Sequence, residues 1–333
     1  MYFLLGLSIV LAAMLIVNSI ASLGATLLWR VLEKHSRSWS AASRASLLTT
    51  LRILPVTAGL TTVGLLFGPA YLTHEPRTDH EDVSAKLAIL ALFSVIGIGL
   101  AVVRGIVTWR VTTRLRNDWL RNAQPINLAG IHIPTYRIEH QFPVIAIVGS
   151  LRPRLFIANR VLQALSIEEL EAAINHEAGH VLYRDNLKRG FMRACRDSLL
   201  IIPCGRLLDR AWKEASEEAA DEHAARGGAA VALDLASSLV KIARMIPVGA
   251  HPAMPAGAFI VGKDEMPGVR TRVRRLMQLA NESGEQKRAP FGFQIPTSVP
   301  IVLMIIIVAA LSTQPHVLAL VHALIEDVVY LLT

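Results

Sequence analysis

Four long apolar runs punctuate this chain, and the polar segments between them differ in charge. Met1 to Trp29 carries no charged residue, Ile53 to Leu72 follows Arg52, Leu87 to Val103 continues past Arg104 toward Trp109, and Ile295 to Thr313 comes near the end. Each run approaches the roughly 20 residues that a helix needs to cross a hydrocarbon layer. The first is too long for the apolar region of a signal peptide. It is followed by Arg30, Lys34, Arg37 and Arg44 rather than by a small-residue cleavage site, so it reads as an uncleaved span. The loop between the first two spans is mostly basic, and the one from His74 to Lys86 is mostly acidic. Basic loops are retained in the cytoplasm. The asymmetry therefore puts the N-terminus and the acidic loop outside and returns the chain to the cytoplasm at Arg110. Pro315 to Thr333 reads as a short apolar helix carrying His316, His322, Glu326 and Asp327; the pattern leaves open whether it lies on the outer surface or re-enters the membrane.

Between the third and fourth runs the pattern changes. Ile131 to Glu139, Pro143 to Val148 and Arg154 to Ala158 have strand character, with Gly149, Ser150 and Pro153 supplying turn residues. They predict a small sheet whose edge either receives an extended peptide by strand addition or closes a plain hairpin. Ser166 to Asn186 predicts a helix: Ser166 and Glu169 form a capping box, and Ile167, Leu170, Ile174, Ala178 and Val181 recur at helical spacing on what should be its buried side. Leu199 to Pro203 is apolar but too short to span. Arg210 to Ala225 predicts a second, acidic helix. The chain thus divides into three spans at 1–109, a cytoplasmic block at 110–288, and a fourth span with its tail at 289–333.

Composition narrows the function classes. More than half of the residues are apolar and the mean hydropathy is positive, as in a membrane protein. The net charge of +8 then need not signify nucleic acid, and no arginine-rich segment interleaved with aromatics is present, so nucleic-acid binding is excluded. The two cysteines, Cys195 and Cys204, fit neither a repeated C-x-x-C pattern nor a disulfide framework. A transporter would need polar groups within its spans, and Asn18 and Arg104 are too few.

The chemistry is concentrated at His176-Glu177-Ala178-Gly179-His180. Residues four apart share a helix face, so both imidazoles can bind one zinc ion while Glu177 lies beside them as general base. Zinc with an open coordination position lowers the pKa of a bound water to about 7, which is the chemistry of a hydrolase. A third ligand is required downstream. In Arg210 to Ala225, Glu217 and Asp221 are four apart and suit a ligand carboxylate with a supporting acid, Glu218 competes with Glu217, and Glu222 is a weaker choice. Tyr183, His223 and His251 are candidates to stabilise an oxyanion. His74 and His80, in the acidic loop, are candidates for metal binding or pH sensing.

The segments LRPRLFIA, SIEELEAAINHEAGHVLYRDN and SEEAADEHAA resemble the BlaR/MecR-type integral membrane zinc metallopeptidases, relatives of the CaaX prenyl protease and HtpX groups. The layout of three spans, a cytoplasmic zinc domain and one further span is similar too. The resemblance implies a mainly α, multi-span protein with an α+β zincin-like (HExxH) metallopeptidase domain. It also implies zinc held by His176, His180 and Glu217, Glu177 as base, and Asp221 behind the ligands. Asp185, in Arg184-Asp185-Asn186, belongs to a distinctive match. Arg272 lies in GVRTRVRRLMQL, similar to a helix that closes the zinc domain in such peptidases, where it contacts Asp221 or substrate; the same segment reads equally as a basic helix on anionic headgroups. The expected activity is endoproteolysis of a cytoplasmic or membrane-proximal protein, a transcriptional repressor or the chain itself, at a bacterial-type inner membrane. The alternatives are a catalytically silent zinc-binding scaffold and a CaaX-protease/HtpX-like quality-control peptidase. The penicillin-sensing domain of the best-known members does not follow the last span here.

Overall fold

A computed structural model describes residues 2–76, 83–128, 133–197, 205–246, 266–284 and 296–332. The expectations for His80, Cys204, His251, Leu199 to Pro203 and the start of the first predicted strand lie outside those residues.

Helices dominate. Three are long and apolar enough to cross a membrane: α1 (Tyr2–Ser36), the helix that runs from Ala41 to His74, and α4 (Ala85–Arg121). The second comprises α2 (Ala41–Thr62), a π-helical turn (Val63–Phe67) and α3 (Gly68–His74). Pro69, which has no N–H to give to the preceding turn, follows the π-helical stretch. A fourth span is available if α11 (Ser298–Ser312) and α12 (Pro315–Leu332) count together, although they are bent by 93°. Large apolar side chains such as Phe3, Leu27, Ile89, Val102 and Ile306 stand exposed on these helices, as lipid-facing residues do.

Two of the helices outrun their apolar cores. α2 begins twelve residues before Ile53, where the Ser40 hydroxyl caps it by accepting from the Ser43 N–H at 3.2 Å. α4 continues twelve residues past Trp109 without a break at the expected domain boundary.

The end of α4 carries Trp119 onto a four-stranded sheet, β1 (Gln124–Ile126), β2 (Thr135–Ile138), β3 (Ile145–Val148) and β4 (Arg154–Ala158), in the order β1-β2-β4-β3. β2 and β4 are parallel and the other pairs antiparallel. Successive side chains of a strand face opposite ways. Accordingly Phe156 of β4 meets Trp119, with ring centroids 5.3 Å apart, while Leu155 and Ile157 face the core against α6 (Ile167–Leu182). A short helix, α5 (Asn159–Ala164), joins β4 to α6.

α6 is the centre of this half of the molecule. Ala173 and Ile174 pack on the sheet, and Ala172 packs on the far side with α8 (Gly205–Ala225), α9 (Ala229–Met245) and α10 (Met266–Gly284). The expected buried face holds only in part: Ile174 is buried and Leu170 and Val181 are partly so, but Ile167 is 80 % exposed. Ile167 is the first residue of α6, at the end of the helix where the apolar stripe is left uncovered. α7 (Asp185–Asp197) follows α6, and it and α8 dock on the spans through Met192, Leu208, Trp212 and Ala215 against Trp29, Leu48 and Leu51. At the opposite end of the spans Leu5, Ile9, Ala70, Tyr71 and Leu87 close a separate cluster with Ile325 of α12. The C-terminal helix therefore folds back on the bundle.

Candidate metal centre

α6 is held rigidly from its first residue. The Glu169 N–H donates to Ser166 Oγ at 3.2 Å and the Ser166 N–H to Glu169 Oε2 at 2.8 Å, so the predicted capping box is complete. Glu169 also accepts from Ser237 and Lys241 on α9, both at 2.7 Å. One turn separates His176 from His180, and their rings stand 4.9 Å apart at 88°.

Each histidine has a buried carboxylate behind it. His176 Nδ1 is 2.9 Å from Asp221 Oδ1, and His180 Nδ1 is 2.8 Å from Asp185 Oδ2. With Nδ1 engaged in this way, Nε2 of both rings is the metal-binding nitrogen, that of His176 lying 3.3 Å from Arg272 Nη2, which must give way to an ion there. The two Nε2 atoms converge on one residue: Glu217 Oε2 lies 3.7 Å from that of His176, and Oε1 lies 3.8 Å from that of His180. Ligands about 2.1 Å from a tetrahedral zinc ion sit roughly 3.4 Å from each other, so a small inward movement closes the set. His176, His180 and Glu217 are thus the residues present that fit a metal, with donor chemistry suited to zinc.

The carboxylates are themselves fixed. Asp185 accepts from the buried Ser216 hydroxyl at 2.7 Å, and it follows Arg184, whose φ of 54° turns the chain back toward His180 in a conformation uncommon for a side-chain-bearing residue. Asp221, fully buried, receives both Nε and Nη2 of Arg272, at 2.9 and 2.7 Å, while Arg272 Nη1 reaches Glu217 Oε2 at 3.0 Å. The resemblance-based contact between Arg272 and Asp221 is present, and the arginine touches the third carboxylate as well. Glu218 and Glu222, the competing ligands, point elsewhere: Glu218 pairs with Arg44 of α2 and Arg275 of α10, and Glu222 pairs with Arg275 and accepts from the Ala41 N–H at 3.1 Å.

Burial and charge set the proton affinities. Burial pushes the Glu177 carboxyl up, only partly opposed by the two imidazoles. Burial works against charging His180, but its Asp185 hydrogen bond and the Glu217 and Glu177 carboxylates outweigh it and hold the metal-free imidazole up at about 9. For Glu217 and Asp221 burial raises the pKa, and the Arg272 charge, with the histidines, overcomes it and holds both below the usual range.

The backbone of Ile147 in β3, the edge strand, also lies beside Glu177 and favours its charged form. Asn186 Nδ2 donates to the Ile147 and Gly149 carbonyls at 3.1 and 3.4 Å, tying the turn after HExxH to that edge. Sequence reasoning missed Ile147, Asn186 and Ser216; the run Arg184-Asp185-Asn186 was the available signal for the second. Beside the His176–His180–Glu217 group opens a cleft of about 200 Å³ whose lining includes Glu177, His180 and Glu217 together with Arg189, Arg193, Arg196, Lys213 and Asp209. His223 and Tyr183 do not line it. They pack on each other behind α6, with ring centroids 6.3 Å apart.

Gly179 explains how α6 and α8 come together. A Cβ there would stand 3.1 Å from Ala220 Cα and 3.3 Å from His223 Cβ. The missing Cβ lets α8, and Glu217 with it, approach the histidines this closely; a methyl group would force a shift of a few tenths of an ångström.

Among described protein families and curated proteins, none matches this chain.

Proposed function

We propose that the chain is an integral membrane zinc endopeptidase of the BlaR/MecR type. The observation that carries this reading is the convergence of His176 Nε2, His180 Nε2 and both Glu217 oxygens, with each Nδ1 held by its own buried carboxylate. Bound there, a zinc ion would supply a Lewis acid and an acidified water. The protein's own residues account for the rest. Glu177, raised in proton affinity by burial, accepts a proton from the attacking water at a carboxylate oxygen and returns it to the leaving amine. Asp221 and Asp185 keep the imidazoles in the tautomer that presents Nε2. Arg189, Arg193, Arg196 and Lys213 outnumber Asp209, which pairs with Arg196, in the lining of the cleft, and this excess of positive charge favours a protein segment that brings acidic side chains to the scissile bond.

The site faces the cytoplasm in this reading. Arg30, Lys34, Arg37 and Arg44 cluster where α1 ends and α2 begins, and α8 docks at that same end through Arg44 and Ala41. Substrates are then cytoplasmic or membrane-proximal proteins, a repressor or the chain itself among them.

The test needs no knowledge of the substrate. Zinc content and self-cleavage are measured on detergent-purified protein, wild type beside Glu177→Gln. Stoichiometric zinc in both with cleavage only in wild type, a loss of about 10²–10⁴-fold, is the expected result. Absence of zinc from the wild type, or full cleavage by Glu177→Gln, overturns the assignment.

A further inference from the structure

A second set of metal-binding side chains stands at the other end of the spans. Glu75, at the C-cap of α3, and His322 and Glu326, on α12, place one ligand atom each within 4.8 Å of the others. His322 and Glu326 are one turn apart and share a face of α12. His322 Nε2 lies 3.7 Å from Glu326 Oε1, and its Nδ1 lies 3.9 Å from Glu75 Oε2. These separations are too long for hydrogen bonds, and Nδ1 is buried without a hydrogen-bond partner. One cation takes a single nitrogen of His322, and with one ligand atom from each residue within 4.8 Å of the others a small inward movement brings the three to the spacing of atoms that share a cation at about 2.1 Å each. The His74 ring stacks on that of His322, with centroids 5.5 Å apart, and its Nδ1 already contacts the Ala70 carbonyl at 3.2 Å, leaving Nε2 as its second nitrogen.

The location sets this cluster apart from the HExxH centre. Ala41, which touches Glu222, begins the 34-residue helix that ends at His74, so roughly 50 Å of helix separates the two sites. Carboxylate and imidazole donors together suit zinc and the neighbouring first-row divalent ions. We propose that Glu75, His322 and Glu326, with His74 alongside, form a second transition-metal site that fastens α12 to the end of the second span. An ion held there bridges two elements far apart in sequence and fixes the fold-back of the C-terminal helix.

Binding is tested on full-length, detergent-purified protein stripped with a chelator and titrated with Co²⁺ or Zn²⁺. Wild type should take two equivalents. His176→Ala with His180→Ala should take one, and Glu326→Gln in that background should weaken the remaining equivalent by more than about 10-fold. Glu326 is exposed, so this change leaves packing intact; His322→Ala is the stronger variant, accepted only if its circular dichroism and melting in chelator match wild type. In the same background added zinc should raise Tm, and Glu326→Gln should remove that rise. A single equivalent in wild type that only the His176 and His180 changes remove overturns the proposal, as does a second equivalent indifferent to both Glu326→Gln and His322→Ala. If the HExxH residues bind nothing, the His176 and His180 changes leave the stoichiometry unaltered, so failure there is distinguishable from failure here.

Discussion

The two histidine–carboxylate clusters lie at opposite ends of one long helix and differ in how they are braced. At the HExxH centre both imidazoles are fixed through Nδ1, and the fixing carboxylates are held in turn by Ser216 and Arg272. At the other end His322 stands almost 4 Å from each carboxylate, and its Nδ1 has no hydrogen bond. A braced site loses little freedom when a cation arrives, whereas a loose one must order its side chains at that moment. The difference predicts tight, nearly permanent binding at one end and weaker, exchangeable binding at the other.

The sharpest way to break the contrast is to remove a brace. Asp221→Asn keeps the shape but takes away the charge behind His176 and leaves Arg272 with Glu217 as its remaining acidic partner. Zinc affinity at the centre should fall about 10–100-fold, as expected when an outer carboxylate is lost from a histidine ligand. Asp185→Asn should act alike through His180. Competition against a chelating dye measures both, and unchanged affinity would show that the carboxylates do not orient the rings.

A smaller effect is expected from Gly179→Ala. The added methyl meets the backbone of Ala220, which cannot yield as a flexible side chain would, so overpacking should cost about 1–3 kcal/mol of stability in detergent unfolding. Because α8 carries Glu217, the same change should weaken zinc binding at the centre and leave the Glu75–His322–Glu326 cluster untouched. Loss at both ends would mean general unfolding instead of a local displacement.

These residues also show what the sequence could reveal. The helix period alone puts His176 and His180 on one face, because that relation is local. The choice between Glu217 and Glu218 is not local: adjacent residues point about 100° apart, and which one faces the histidines depends on the Gly179–Ala220 contact and on Arg44 and Arg275 capturing Glu218. Ile167 misled because periodicity marks an apolar stripe without saying where its cover ends. β1, three residues containing a proline, has no alternation to detect, and the first twelve residues of α2 are small and polar enough to escape a hydropathy reading. The fold-back of α12 rests on the clustering of Ile325 with residues 238 to 320 positions earlier, which no local pattern contains.

The least effect is expected where the two ends are joined. Arg44 sits in the first turn of α2 and pairs with Glu218, next to Glu217, in partly buried surroundings. Arg275 also holds Glu218, so Arg44→Ala leaves that carboxylate partnered, and the loss should be about 1 kcal/mol or less. Ala41 and the apolar contacts of Ala45, Leu48 and Leu51 still fasten α2 to α8. Zinc affinity at the centre should therefore stay within about twofold of wild type, which a dye competition resolves. A larger drop in affinity with little loss of stability would mean that the register of α2 against α8 sets the position of Glu217. In that event the second span would be a lever on the metal centre, and occupancy of the Glu75–His322–Glu326 cluster at its far end should change cleavage as well.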